Sequence, residues 1–340
     1  MGLFHGNGGF NMSVMENRTL GRSGIRVSPM GLGCWAIGGP FKLFGLNDGY
    51  GQVDDAESVR AIRRAVGLGV TFFDTADAYG TGHSERILGK ALDGIRHKVV
   101  IATKFGYTFN ENAREITGEL CSAAYIMKAC RASLRRLQTD YIDLYQLHRW
   151  SIPTEEIDTM IEALDKLVEE GLIRAYGWST DWVEGAAVFA EKSNCTAFQQ
   201  SFNVFWHEKG ILDLCEKHDL ASINRSPLAM GLLSGKFTPG SRLPADDVRG
   251  NPHSWNPFFK DARPNQEYLD KLEAIKEILR SGGRTPVQGA LAYIWGKSGR
   301  TIPIPGFKTV QQVEENAGAM EFGPLTPGQI EEIDELIRRS

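Results

Sequence analysis

The chain is expected to belong to the α/β class, as a (β/α)8 TIM barrel with an N-terminal hairpin and long loops at its C-terminal face. Three observations lead there. Short apolar runs ending in polar residues alternate with longer runs of helical period. Eight such strands can be marked out, and strands joined through helices pair in parallel. No Pro- or Ser-rich linker divides the series, which favours closure over an open doubly wound sheet. At 340 residues the chain is longer than most single cores, but barrels of this kind reach that length as one domain.

Taken in order, residues 1–16 (MGLFHGNGGFNMSVME) are rich in Gly and Asn. They lack the charged and apolar regions of a signal peptide, and are expected to be a disordered tail ahead of one domain over 17–340. Arg18–Ser28 reads as a hairpin turning at Gly21 to Gly24. The strands are Met30–Gly33, Thr71–Asp74, Val99–Lys104, Tyr141–His148, Arg174–Ser179, Ala197–Gln200, Ala221–Arg225 and Thr301–Pro305. Asp54–Leu68, Ala123–Leu137 and Thr154–Glu170 carry apolar residues three and four apart and are the clearest helices. Further helices are expected at Trp182–Lys192, Lys209–His218, Gln266–Arg280, Pro286–Trp295, Val310–Ala319 and Pro327–Arg339. Cys34–Asp54 and Phe237–Asn265 remain as long irregular stretches, and loops of that length in a compact domain are usually functional.

Composition excludes several classes. A net charge of −4 gives no electrostatic reason for a nucleic-acid or anionic-membrane partner. Five cysteines (Cys34, Cys121, Cys130, Cys195, Cys215) without CxxC spacing suit neither a disulfide framework nor a metal cluster, and fit a reducing, cytoplasmic setting. No run of eighteen apolar residues is present. GLGCWAIGG is not the GxGxxG fingerprint, and no Walker loop is present, so a nucleotide would bind without either. The oligomeric state is left open.

In a barrel of this kind the active site lies where strands end at the C-terminal face. Reading off those ends brings Asp74, Lys104 and His148 together from strands two to four, with Tyr79 five residues beyond Asp74. Singly, each has a plain use: a turn cap, a solvated lysine, a histidine satisfied by backbone, a loop aromatic. Jointly they suit carbonyl reduction. Tyrosine holds a proton at neutral pH and can donate it to the alkoxide left by hydride attack. An ammonium beside it stabilises the phenolate, a carboxylate holds the ammonium, and a histidine orients the carbonyl oxygen.

The segments GVTFFDTADAYGTGHSERILGKAL, VVIATKF and SLRRLQTDYIDLYQLH resemble the aldo-keto reductase superfamily, and the similarity runs from about Arg18 to the C-terminus. The resemblance implies a barrel binding extended NADP(H) in preference to NAD(H), with no metal. Asp74, Tyr79, Lys104 and His148 would be its catalytic tetrad, with Tyr79 as general acid/base and Trp35, Tyr79 and His148 meeting substrate. Ser179 and Gln200 match the pair that bonds the nicotinamide carboxamide, and Thr180 stands where many members carry Asn or Arg. Cys34 and Trp35 follow strand one at the cofactor. In NRSPLAMGLLSGKF, Ser226, Pro227, Leu228, Ala229, Met230 and Gly231 match the loop crossing the pyrophosphate, with Lys236 adding charge. Arg225 departs from the family, whose aromatic stacks on the nicotinamide there; it either tunes the cofactor's redox preference or reaches an acidic substrate. Gly306, Lys308, Gln312, Glu315 and Asn316 match the 2′-phosphate and adenine site, and Arg249 would close over the cofactor. Gln312 replaces an arginine found in several members.

Aromatics Trp35, Phe41, Tyr50, Trp150, Trp206, Trp255, Phe258 and Phe259 are candidates for a pocket taking an organic carbonyl, sugar-like ones included, in either direction. Potassium-channel β subunits share SPLAMGLLSGK-like and Gly306–Asn316-like segments and act mainly as cofactor-sensing partners. They carry Asn in place of the histidine, so His148 favours a working reductase. A metal-dependent barrel hydrolase is excluded by the lack of a strand-one HxH.

Overall fold

Eight parallel strands, each hydrogen-bonded to the next in chain order, form the centre of the computed structural model, which describes residues 15–339 except Ser193 and Glu208. They are β1 (Gly31–Gly33), β2 (Phe72–Asp74), β3 (Val100–Phe105), β4 (Ile142–Leu147), β5 (Ile173–Ser179), β6 (Cys195–Asn203), β7 (Ala221–Arg225) and β8 (Thr301–Pro303). Gly33 N donates to Pro305 O at 3.0 Å and Gly33 bridges Gly306, so the sheet nearly closes on itself. The barrel expected from the alternation is therefore the fold, and all eight strands lie where the apolar runs put them.

The helices are α1 (Asp55–Gly67), α2 (His83–Leu92), α3 (Ala123–Leu137), α4 (Thr154–Glu169), α5 (Val183–Lys192), α6 (Lys209–Lys217), α7 (Gln266–Leu279), α8 (Pro286–Lys297), α9 (Val310–Gly318) and α10 (Pro327–Arg339). Their starts follow local chemistry. The Asp54 carboxylate accepts from Ala56 N and Glu57 N to cap α1, and Thr285 with Gln288 forms a reciprocal cap on α8 behind Pro286. One helix, α2, was not expected. Gly89 sits in its middle because a Cβ there would lie 2.6 Å from Leu137 O, so it is a close-packing residue against α3. Close packing of two helices, rather than helical propensity, fixes this segment.

Alternation along the strands separates two cores. Phe72, Ala102, Leu144, Ala197, Ile223 and Ile302 fill the barrel interior, and Leu20, Ile25 and Val27 of the hairpin plug its N-terminal end. That hairpin pairs Arg18–Thr19 with Arg26–Val27, as its glycines indicate. Gly21, at φ 50°, has no room for a Cβ, which would fall 2.4 Å from Thr196 O. The opposite residues of each strand, such as Leu32, Phe73, Ile101 and Trp178, face the helices.

The two long stretches at the C-terminal face are not irregular throughout. Lys42–Leu43 and Leu46–Asn47 join Tyr107–Asn110 and Glu115–Glu119 in a four-stranded sheet beside the mouth. The stretch after β1 is also fastened to the one after β7: Val248 N donates to Gly49 O at 2.7 Å and Asn47 Nδ2 to Ala245 O at 3.1 Å. Such pairing between distant residues leaves no local pattern. Of the expected tail, residues 1–14 lie outside the described residues, whereas Met15 packs against the outer core. Among the described residues no helix is long and apolar enough to cross a membrane.

Candidate active site

The mouth of the barrel is built on inward-facing strand ends. Phe72 points inward, so Asp74 two residues on does too; the same period brings in Lys104 after Ala102 and His148 after Leu144 and Gln146. Lys104 is fully buried, and its ammonium donates to Asp74 Oδ2 at 2.6 Å, Thr75 O at 2.9 Å and the Tyr79 hydroxyl oxygen at 3.2 Å. These are all three of its hydrogens. Because an ammonium cannot accept, Tyr79 accepts here, and its own proton remains available to a group in the mouth.

Asp74 is held from its other oxygen. Oδ1 accepts from Gln146 Nε2 at 3.1 Å and Gln199 Nε2 at 2.8 Å. A buried carboxylate with three donors is stable where a bare one is not. The chemistry-bearing residues singled out in the sequence omitted both glutamines. Gln146 could have been found as the inward neighbour of His148, two residues along the same strand.

Burial sets the protonation states. It raises the Tyr79 hydroxyl well above the usual tyrosine value, with the Asp74 charge adding to the rise and Arg225 opposing it. Lys104 is lowered by burial, against the pull of Asp74. His148 falls well below the usual histidine value through burial and then the charges of Lys104 and Arg225, so its imidazole is neutral at pH 7. Its Nδ1 is buried and, among the described residues, has no hydrogen-bond partner. Its ring meets Tyr79 edge-on at 5.6 Å and Tyr107 at 5.3 Å.

Trp35 stacks on Tyr79, with centroids 6.1 Å apart and planes 22° apart, and Nε1 donates to Asp48 O at 2.8 Å. Tyr50 and Trp255 lie against Trp35 at 5.1 and 6.0 Å. The other candidate aromatics part company with this group. Phe41, Phe258 and Phe259 are buried packing residues, and Trp150 and Trp206 stand exposed on loops.

The residues expected at a nucleotide divide similarly. Ser179 is inward on β5 and its hydroxyl donates to Gln199 Oε1 at 3.4 Å. Gln200 does not face the mouth. The register of β6 on β7 turns Gln199 inward, and the Gln200 amide instead donates to Ser222 Oγ at 2.7 Å in the barrel wall. The Cys34 thiol is likewise buried in the wall, while Cys34 N donates to Asp74 O. Thr180 uses its hydroxyl to donate to Trp150 O and accept from Trp182 N, joining two loops.

Arg225 is inward at the end of β7. Its guanidinium donates to Ser201 Oγ and Asp181 Oδ2, each at 2.6 Å, and Asp181 Oδ1 accepts from Ser201 N. Beyond it Ser226, Ala229, Met230 and Gly231 all take left-handed φ values, 52°, 48°, 56° and 90°. Pro227 and Leu228 complete this folded-back loop. Within the loop Ala229 N donates to Ser226 O at 3.0 Å and Gly231 N to Leu228 O at 2.8 Å. A Cβ on Gly231 would meet nothing nearer than Arg249 Nη1 at 3.5 Å, so its face is open. Arg249 is bonded to Asp247, donates to Met230 O at 3.1 Å, and lies over the Tyr50, Phe237 and Phe259 rings.

Gly306 is exposed beside Gly33 at the barrel seam. Lys308 follows, with Nζ donating to Tyr50 O at 3.0 Å and Gln52 O at 2.7 Å, and the Gln312 side chain accepts from Lys308 N. Glu315 is half-buried on α9, and Asn316 donates to Gly306 O at 3.4 Å. Lys236 lies exposed over Phe237. An open glycine face, a folded-back loop and a flanking ammonium fit an extended nucleotide, and the orphaned His148 Nδ1 marks unsatisfied polarity in the mouth. Among the described residues no group of three or more His, Cys, Asp or Glu could hold a metal ion.

The chain is similar to known proteins over most of its length. The profile of the Aldo/keto reductase family matches residues 29–338. The aldo-keto reductase YhdN of Bacillus subtilis is 33% identical over 305 residues, covering 88% of this chain and 87% of its own. The structure of the glycerol dehydrogenase AKR11B4 from Gluconobacter oxydans is 31% identical, covers 95% of each chain, and superposes with a TM-score of 0.81. An aldo-keto reductase from Klebsiella pneumoniae in complex with NADPH is 26% identical, covering 95% of this chain and 96% of its own, with a TM-score of 0.69.

Proposed function

The chain belongs to the aldo/keto reductase family of oxidoreductases, and we propose that it reduces aldehydes or ketones with NADPH, or runs the reverse, using Tyr79 as general acid/base. The observation that carries this reading is the ammonium of Lys104, which spends its three hydrogens on Asp74, Thr75 and Tyr79. The Tyr79 hydroxyl is thereby polarised while its proton stays free for a carbonyl oxygen.

When bound, the nicotinamide supplies a hydride to the carbonyl carbon. Tyr79 donates its proton to the oxygen, which becomes a hydroxyl, and the phenolate left behind is stabilised by the Lys104 ammonium. Asp74, bonded by Gln146 and Gln199, keeps that ammonium in place. Neutral His148 can donate a ring N–H to the carbonyl oxygen without adding a second cation. Trp35 and Trp255 give the substrate an apolar wall.

Ser179 and Gln199 are the inward polar pair placed to hold the carboxamide; Gln199 takes the role that sequence matching gave to Gln200. The loop from Ser226 to Gly231 would lie along the pyrophosphate at its open Gly231 face, with Arg249 beside it, and Lys308 would meet the 2′-phosphate that separates NADP from NAD.

A panel of aldehydes, ketones and sugars, run with NADPH and NADH and in reverse with alcohols, tests the reading. Tyr79→Phe is expected to lower kcat by about 100- to 10,000-fold, the range of general acid catalysis, and to leave NADPH binding in place. Near-native turnover in Tyr79→Phe would refute the assignment. Tight NADPH binding with negligible turnover of every carbonyl would favour a cofactor-sensing subunit.

A further inference from the structure

One carboxyl at the mouth is not used by this chemistry. Asp48, on the stretch after β1, is 9% exposed, and among the described residues its carboxyl makes no hydrogen bond. Its nearest charged neighbour is His253, from the stretch after β7, whose Nε2 stands 3.7 Å from Oδ1 but donates to Asn47 O at 3.0 Å. His253 stacks on Trp255 at 5.0 Å, Trp255 lies on Trp35, and Trp35 donates to the backbone carbonyl of Asp48. These four residues close a ring of contacts, and Trp35 carries it onto Tyr79. The carboxyl lies among phenols as well: its charge raises the hydroxyls of Tyr50, Tyr79 and Tyr107.

A nearly buried carboxyl held by no hydrogen bond, with only His253 at 3.7 Å beside it, is rare in a folded protein, because desolvating it without a hydrogen bond is unfavourable whether or not it is ionised. Burial alone is the cause of its displaced titration, with no compensating donor. An apolar substrate closing the mouth would strip away its remaining water and offer nothing in return. A substrate bearing a hydroxyl would satisfy it.

Resting on the reductase reading above, we infer that Asp48 is a specificity-determining residue, which selects carbonyl compounds carrying a hydroxyl group near the reacting carbon. A hydroxyl can donate to the carboxylate or accept from the carboxylic acid, so the pairing holds in either state. The indole faces of Trp35 and Trp255 take the C–H side of the same substrate. Sites that hydrogen-bond a substrate hydroxyl discriminate strongly against analogues lacking it, because the site's polar group is then left unpaired.

The test is a ratio. For wild type, Asp48→Ala and Asp48→Asn, kcat/KM with NADPH is measured for glyceraldehyde and for propanal, which lacks both hydroxyls. Wild type is expected to prefer glyceraldehyde, and Asp48→Ala to lower the glyceraldehyde/propanal ratio by about 10-fold or more, chiefly through KM. Asp48→Asn, which keeps a hydrogen-bonding group of the same shape, is expected to retain most of the ratio. Asp48→Ala removes no hydrogen bond, only the 3.7 Å contact with His253, and thermal unfolding checks that the fold is kept. Wild type that turns both over, with the ratio unchanged in Asp48→Ala, would overturn the Asp48 assignment alone. No NADPH oxidation by wild type with either aldehyde would overturn both readings.

Discussion

Asp74→Asn changes one atom at the point where three donors converge. In the native site Oδ2 takes the Lys104 ammonium at 2.6 Å, and Oδ1 takes the amides of Gln146 and Gln199. The Asp74 and Lys104 side chains are 2% and 0% exposed, so water cannot substitute for a lost partner. An asparagine that aims its NH2 at the ammonium sets donor against donor, and one that aims its oxygen there keeps that contact without the negative charge, so in both orientations the buried ammonium loses its counter-ion. Breaking a buried ion pair by removing one charge destabilises by about 3–5 kcal/mol, since the other charge stays buried. That is the expected loss, read by urea unfolding followed through tryptophan fluorescence. The sign of its pH dependence follows from Lys104. Burial already lowers its pKa, Asp74 opposes that, and the variant loses the opposition. Between its folded value and about 10.4 the unfolded chain binds the extra proton, so the variant's deficit narrows as pH rises through that window. Catalysis should fall as well, because a neutral amine cannot stabilise the Tyr79 phenolate. A stability loss under about 1 kcal/mol with unchanged kcat would refute this account of the site.

Gln199→Ala is expected to raise KM for NADPH and lower kcat, while Gln200→Ala removes only the bond to Ser222 and about 1 kcal/mol of stability; the opposite order in steady-state kinetics would place the glutamines wrongly. Gly80 has φ 59°, and a Cβ would fall 2.0 Å from Gly38 O. Gly80→Ala should therefore destabilise by about 2–5 kcal/mol and displace the adjacent Tyr79, read as a lower unfolding midpoint with a lower kcat. Lys308→Ala should raise KM for NADPH about 10- to 100-fold, the worth of one or two charge-assisted bonds, and change KM for NADH far less; equal effects would sink the phosphate assignment. Asp48 has its carboxyl raised from the usual 3.8 to about 8 by burial. The folded chain thus holds a proton the unfolded chain has lost between those values, and stability falls as pH rises across them. Asp48→Asn should match wild type near pH 4 and be more heat-stable at pH 8 to 9, as thermal unfolding across that range would register.

The residues that perform the chemistry could be read from the chain because strand periodicity is local. A β-strand alternates at every residue, so an apolar run ending in Asp74, Lys104 or beside His148 announces which end of the barrel those side chains meet. Eight such runs without a break also determine the closed architecture, and Gly21 to Gly24 determine the hairpin that plugs it. What the chain could not state by itself is everything that depends on contact between distant segments. Whether Gln199 or Gln200 faces the mouth turns on the register of β6 against β7, and a shift of one residue exchanges the two. Helix α2 stands where Gly89 lets it touch α3, and the mouth loops gain order only from one another. From the sequence Arg225 is assigned either to tuning the cofactor or to an acidic substrate, yet Asp181 and Ser201 hold it from two sides. Asp48 is an unremarkable acidic residue between asparagine and glycine until the stretches after β1 and β7 close over it. Burial is a property of the folded neighbourhood, and burial without a hydrogen bond is what singles that carboxyl out.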